Sequence, residues 1–143
     1  MPKVSVQGLA GLTADFQALE RAERGPALKA ATRAGAKIAQ QAIKARAPKR
    51  LGKMARGIVV GNERSRKPAE QATATVTLSK RTYMYEGQRK SAAMVGRMVE
   101  LGTKNQAADP FFRPAFDGVE DEVGGAVEGA LLTEIDKVLV GRR

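Results

Sequence analysis

The sequence predicts an α+β fold in which a small, mostly antiparallel sheet packs with a long basic N-terminal helix and a C-terminal helix. Residues 26–46 place apolar side chains at the three- and four-residue spacing of an α-helix, and residues 116–138 repeat that spacing. Residues 73–78 alternate in the manner of a strand and are rich in β-branched side chains. A chain of 143 residues can bury a core of its own, so we expect a single domain over residues 1–143.

The N-terminal part is predicted to hold one strand and two helices. Residues 4–8 alternate apolar and polar side chains and end at a glycine, which is typical of a short edge strand. Thr13 is a candidate N-cap of a short helix that ends at Gly25-Pro26, and Pro26 suits the first turn of the long helix, which should run to about Ala45. The apolar side of that helix is mostly Ala and Gly, so a neighbouring element can approach it closely. The basic residues on its opposite side are Lys29, Arg33, Lys37 and Lys44.

A basic loop is predicted directly after the long helix. Pro48 disfavours helical geometry in the residue before it, so the helix should end there. The cations of the loop are Lys49, Arg50, Lys53 and Arg56.

The middle of the chain is predicted to complete the sheet. We expect strands over residues 58–60, 73–78 and 94–101, the last of them ending at Gly102. Two loops, near 61–72 and 79–93, are flexible or meet a neighbouring subunit. In the second loop Tyr83 and Tyr85 alternate with basic residues, so the rings either stack on nucleic-acid bases or close over the core.

The C-terminal part is predicted to contain a rigid bend and a helix. Residues 109–116 hold three of the four Phe and two of the six Pro, and each proline restricts its own backbone and that of its predecessor. The last helix should begin near Pro114, where Asp117 and the acidic residues after it are favourable against the helix dipole.

The composition argues against catalysis. The chain has no Cys and no His, which removes thiol nucleophiles, zinc thiolates and the commonest general base near neutral pH. We therefore expect no enzyme activity, no metal and no cofactor. An enzyme would have to use residues such as Tyr83, Arg81, Glu86 and Glu100, whose spacing groups them in no recognisable constellation.

The net charge of +10 is unevenly distributed. Residues 1–60 hold twelve Lys or Arg and three acidic residues, whereas residues 101–143 hold five and eight. Three interpretations remain open: a surface for nucleic acid, opposite-sign faces of neighbouring copies that meet head to tail in a ring, and a basic surface without a specific partner.

The sequence predicts neither membrane insertion nor secretion. No stretch approaches 18 consecutive apolar residues. The N-terminal stretch is too short and too polar to serve as a secretion signal. We expect synthesis and assembly in a cytoplasm.

Three stretches, in chain order, resemble the tail-completion or neck proteins of long-tailed bacteriophages. They are the basic helix that runs into Ala47-Pro48 and is followed by Gly52 and a strand at Ile58, the segment VELGT at 99–103, and the segment PFFRPA at 110–115. The Glu-x-Gly-Thr element followed at short spacing by Pro-Phe-x-Arg-Pro-Ala is the specific part. The resemblance covers about residues 26–140.

The resemblance implies a structural virion protein, assembled in the host cytoplasm, that forms a sixfold ring at the head–tail junction. The ring would join the DNA-filled head to the tail and let DNA pass, between head-completion or connector proteins on one side and the tail terminator or tail tube on the other. One alternative is the tail terminator ring itself, and a second is a basic DNA-binding protein.

The resemblance also implies two groups of functional residues. Candidates for contacts between subunits are Glu100, Gly102, Thr103, Phe111, Phe112 and Arg113. Of these, Phe111 and Phe112 either fill the core or anchor an interface, and Arg113 suits an ion pair between subunits because its planar group matches a carboxylate. Candidates for facing DNA in the lumen, or an acidic partner, are Lys29, Arg33, Lys37, Lys44, Lys49, Arg50, Lys53 and Arg56.

Overall fold

A computed structural model describes residues 3–7, residue 16 and residues 19–141. The strands are β1 (Lys3–Gln7), β2 (Ile58–Glu63), β3 (Gln71–Leu78), β4 (Thr82–Tyr85) and β5 (Gln88–Ser91). The helices are α1 (Arg21–Arg46), α2 (Gly52–Ala55), α3 (Ala92–Leu101), α4 (Phe112–Asp117) and α5 (Glu120–Gly141), and a 3-10 turn (Lys49–Leu51) precedes α2. The predicted α+β class is confirmed.

The main sheet has the strand order β1-β3-β2, and both pairings are antiparallel. Val4 lies opposite Ala74, and Val60 lies opposite Val76. Every second residue of β3 is buried, as the alternating sequence predicted. The prediction that the N-terminal strand is an edge strand is confirmed, because among the described strands β1 pairs only with β3.

Helix α1 lies at the centre of the fold. It packs against all three strands of the main sheet and against α4 and α5. A Cβ atom added at Gly35 would lie only 2.5 Å from Cγ2 of Val127, so α5 approaches α1 as closely as the small residues of the α1 stripe allow. The predicted close approach to this stripe is confirmed.

The start of α1 differs from the prediction. The helix begins at Arg21 and continues through Gly25-Pro26, which therefore ends no helix. The backbone N–H of Glu20 donates to the Glu23 carboxylate at 3.0 Å, and this contact organises the first turn ahead of the proline. Ala27 directly after Pro26 is buried, so packing offsets the hydrogen bond that the proline removes. The predicted N-cap, Thr13, lies outside the described residues.

Residues 94–101 form a helix, so the prediction of a strand over these residues was wrong. The side chain of Ser91 accepts a hydrogen bond from the Met94 N–H at 3.1 Å and caps α3. The buried residues of α3 have the helical spacing i, i+3, i+4, i+7: Ala92, Val95, Gly96 and Val99.

The predicted loop near 79–93 contains the β4–β5 hairpin. Its two turn residues, Glu86 and Gly87, have φ angles of 50° and 75°, which are typical of the tight turn that joins antiparallel strands. Tyr83 and Tyr85 pack against the core, which is one of the two roles considered for these rings. Burial, and secondarily the neighbouring Tyr85, raise the pKa of Tyr83 above its ordinary value.

Two further boundaries differ from the sequence predictions. The basic loop at 49–56 is helical, since it consists of the 3-10 turn and α2. The C-terminal helix is interrupted, because α4 ends at Asp117 and α5 begins at Glu120. Across the ranges that the structure describes, no helix is both long and apolar enough to span a bilayer.

Candidate functional site

The predicted basic residues lie on one continuous part of the chain that carries no acidic residue. From Arg24 to Asn62, both included, the sequence contains ten Lys or Arg and no Asp or Glu. We call residues 29–56 the basic segment. All nine of its cations are exposed, and none forms an ion pair with another described residue. They are the eight predicted cations together with Arg46, which the sequence analysis did not single out.

Four of the five cations that α1 contributes to the basic segment lie along one side of the helix. Lys29, Arg33 and Lys37 follow at intervals of four residues, and Lys44 continues the row. From Lys29 to Lys44 the row spans about 22 Å of helix, or roughly six base-pair steps of DNA. Gln40 donates a hydrogen bond from Nε2 to the Ile58 carbonyl at 2.8 Å, which fixes α1 to β2. The row is therefore presented by a rigid element.

Negative charge is concentrated on α5, the helix that packs against α1. Helix α5 holds six acidic residues and one lysine. Glu120, Asp121 and Glu122 occupy its first turn, where negative charge interacts favourably with the helix dipole. The positive charge of the N-terminal part of the sequence and the negative charge of the C-terminal part therefore lie on two helices that pack against each other, α1 and α5.

Glu100 binds the start of α4. Its Oε2 accepts hydrogen bonds from the backbone N–H groups of Phe111 at 2.8 Å and Phe112 at 2.9 Å. Its Oε1 accepts a hydrogen bond from the backbone N–H of Arg113 at 3.1 Å. We call this arrangement the Glu100 clamp. The first N–H groups of a helix have no partner within the helix, and a carboxylate there also favours the helix dipole. The clamp fastens the end of α3 to the start of α4.

Gly102 and Thr103 turn the chain tightly after α3. Gly102 has φ +77°, and a Cβ atom there would lie 2.7 Å from the backbone nitrogen of Ala108. The Thr103 N–H donates to the Gln106 carbonyl at 2.8 Å. The backbone N–H of Asp109 donates to the Val99 carbonyl at 2.8 Å, which brings the chain back against the end of α3. The Glu-x-Gly-Thr element thus folds against the following segment of the same chain.

The remaining residues of the predicted contact group divide into two sets. Phe111 and Phe112 are 2% and 6% exposed and meet edge to face at 6.0 Å, so the structure places both rings in the core of the chain itself. Arg113 and Thr103 have exposed side chains, and Arg113 has no ion pair with any described residue.

Helix α3 presents an apolar surface that sequence reasoning missed. Met94 and Leu101 are 54% and 66% exposed, and Met98 is half-buried between them. Together with Arg97 these side chains line an open groove. We call Met94, Arg97, Met98 and Leu101 the α3 face. The helical spacing 94, 98, 101 would have revealed it, but the strand prediction assigned these residues to a sheet.

Glu100 and Glu86, two of the residues considered for catalysis, lie in different parts of the fold. The Glu100 carboxylate is occupied by three backbone N–H groups, and Glu86 lies exposed in the hairpin turn. Within the described ranges, no three His, Cys, Asp or Glu residues are grouped so that they could hold a metal ion.

A comparison with known families identifies the family of the chain. A family model described as "Bacteriophage HK97-gp10, putative tail-component" matches residues 10–102, which includes α1, the hairpin and α3 and stops at Gly102. No curated protein and no solved structure matches the chain. A tail component is a structural part of the virion. Since the match covers well over half of the sequence, the chain belongs to the HK97-gp10-like family of bacteriophage tail components.

Proposed function

We propose that the chain is a non-catalytic structural protein that forms a ring at the head–tail junction of the virion, joins the DNA-filled head to the tail and lets DNA pass. Copies of the chain, six in a ring, would meet head-completion or connector proteins on one side and the tail terminator or tail tube on the other. Family membership supports a tail role. The segments VELGT and PFFRPA, which prompted the comparison with neck proteins, support the junction.

The observation that carries this proposal is the unpaired basic segment. Nine exposed cations without a partner among the described residues are suited to a polyanion that passes by, because such contacts are electrostatic and independent of sequence. In a ring this segment would line the DNA passage or meet an acidic neighbour. The acidic α5 on the same chain offers a surface of opposite sign to the next copy.

Deletion of the gene in a producing strain tests the proposed place in the virion. Electron microscopy should show filled heads and free tails that fail to join, and supplying the protein in trans should restore joining. Overlong or ragged tails would instead identify the tail terminator. Joined, infectious particles would contradict both assignments and favour the basic DNA-binding protein.

A charge-reversal pair tests whether the basic segment contacts DNA. In DNA-binding titrations at several salt concentrations, the R50E/K53E variant should show a slope of log affinity against log salt concentration that is smaller in magnitude by about two, because each lost phosphate contact removes roughly one. The control R64E/R66E changes the net charge equally at two exposed residues in the loop before β3 and should leave that slope nearly unchanged. Equal slopes for the two variants would place the DNA contacts elsewhere.

A further inference from the structure

We infer that the α3 face of one copy docks on an exposed face of α5 in the next copy, and that this pair of faces is the contact that builds the ring. The inference rests on the proposed function in one respect, namely that the copies assemble with one another. It adds which surfaces meet and that the contact is head to tail.

The α3 face has the properties of the central part of an interface. Its three apolar side chains lie on one side of a short helix whose other side is buried in the core, so the face is held rigidly. The adjacent carboxylate, Glu100, is bound in the clamp. Arg97 is therefore the charge that this face presents, and it has no ion pair with any described residue.

Helix α5 presents a complementary row. Glu128, Leu132, Asp136 and Val140 follow at intervals of four residues and are all exposed, and we call them the α5 face. Leu132 and Val140 are 39% and 64% exposed, although the neighbouring Leu131 and Ile135 of the same helix are buried in the core. The row alternates acidic and apolar side chains.

The two faces match in chemistry. Apolar side chains on α3 meet apolar side chains on α5, and Arg97 meets Glu128 or Asp136, both of which lack a described partner within the chain. Aliphatic contact with one charge pair at its side supplies both affinity and orientation. An acidic or uncharged partner would leave the acidic residues of α5 unmatched, whereas a second copy of this chain supplies Arg97.

The two faces are different surfaces, which determines the symmetry. A contact between unlike surfaces repeats from copy to copy and closes into a ring when the rotation allows it. A contact between two α3 faces would instead stop at a dimer.

Engineered cysteines test the contact, since the natural chain has none. The L101C/L132C variant carries one thiol on each face and is treated with a short bis-maleimide, both as concentrated purified protein and in lysate of producing cells. We expect a ladder of covalent oligomers. Either cysteine alone should give no product beyond a dimer. The control M84C/L132C moves the first thiol to the hairpin, where Met84 is 59% exposed, and should give no ladder.

A charge exchange provides the second measurement. Sedimentation should show that R97E weakens self-association by roughly tenfold or more and that adding either E128K or D136K restores it, because the reversed pair attracts again. Circular dichroism should be unchanged, since all three side chains are exposed.

These outcomes decide the inference separately from the proposed function. Absence of the ladder from both samples, an equal ladder from M84C/L132C, or no rescue by either E128K or D136K would overturn the contact. Loss of association by R97E without rescue would point to a different partner for the α3 face. If the ladder forms but particles join without the gene, the contact holds and the junction assignment fails.

Discussion

Replacing Gly102 by alanine is expected to lower the free energy of unfolding by about 3 kcal/mol or more. Its φ of 77° and ψ of 171° lie in a region that is essentially restricted to glycine. The new Cβ would also lie 2.7 Å from the Ala108 nitrogen and 3.0 Å from the Gln106 carbonyl oxygen. Both are backbone atoms, so the clash cannot be relieved by rotating a side chain. Chemical denaturation of the purified chain measures the loss.

Two other glycines separate the causes of this effect. Gly87 also has a positive φ, but nothing lies within 4 Å of a Cβ added there, so G87A should show backbone strain alone, about 1 kcal/mol. Gly52 is helical with open space around it, and G52A should be neutral or slightly stabilising. A loss in G102A no larger than that in G87A would show that the loop does not pack closely over the end of α3.

Replacing Glu100 by alanine is expected to cost about 2–4 kcal/mol of stability, which corresponds to a melting temperature lower by roughly 10 °C. The substitution leaves three backbone N–H groups at the start of α4 without their acceptor, and two of them belong to the buried residues Phe111 and Phe112. Glu100→Gln keeps one acceptor oxygen and should lose about half as much. Thermal unfolding monitored by circular dichroism gives both values.

The control for this series is Asp117→Ala. Asp117 is exposed at the end of α4 and its carboxylate accepts no hydrogen bond within the described part of the chain, so the change should stay within about 0.5 kcal/mol. If Glu100→Ala left the unfolding free energy unchanged but abolished self-association, Glu100 would act between subunits, as the sequence comparison first suggested, and the clamp would be wrong.

The fold could be predicted where one periodicity dominates. Strand β3 alternates cleanly because one face of an antiparallel sheet is covered by α1, and α1 itself carries a regular stripe of small apolar residues. Helix α3 was mistaken for a strand because Met94 and Leu101 are apolar but exposed, so the helical spacing of Val95 and Val99 was hidden in a nearly continuous apolar run. An exposed apolar face obscures the alternation of apolar and polar residues on which such predictions depend.

The candidate site could be predicted only in part. The basic residues of α1 were identified correctly as one exposed row, since charge and spacing suffice for that. The role of Glu100 depends on backbone N–H groups eleven to thirteen residues away, which leave no pattern in side-chain chemistry. The hairpin was missed because its turn is Glu86-Gly87 rather than the commoner Asn-Gly or Asp-Gly.

The Glu100 clamp also affects which substitutions residues 111–113 tolerate. Its donors are backbone groups, and every amino acid except proline supplies a backbone N–H, so substitutions at 111–113 can preserve the clamp as long as the two buried rings are replaced by side chains that fit the core. Glu100 lies inside the segment that the family model matches, whereas its three donors lie beyond the end of that match. Loss of the Glu100 carboxylate would therefore disturb a C-terminal region that lies outside the matched segment, whereas the exposed Arg113 can be replaced by any residue except proline without losing its backbone hydrogen bond to Glu100.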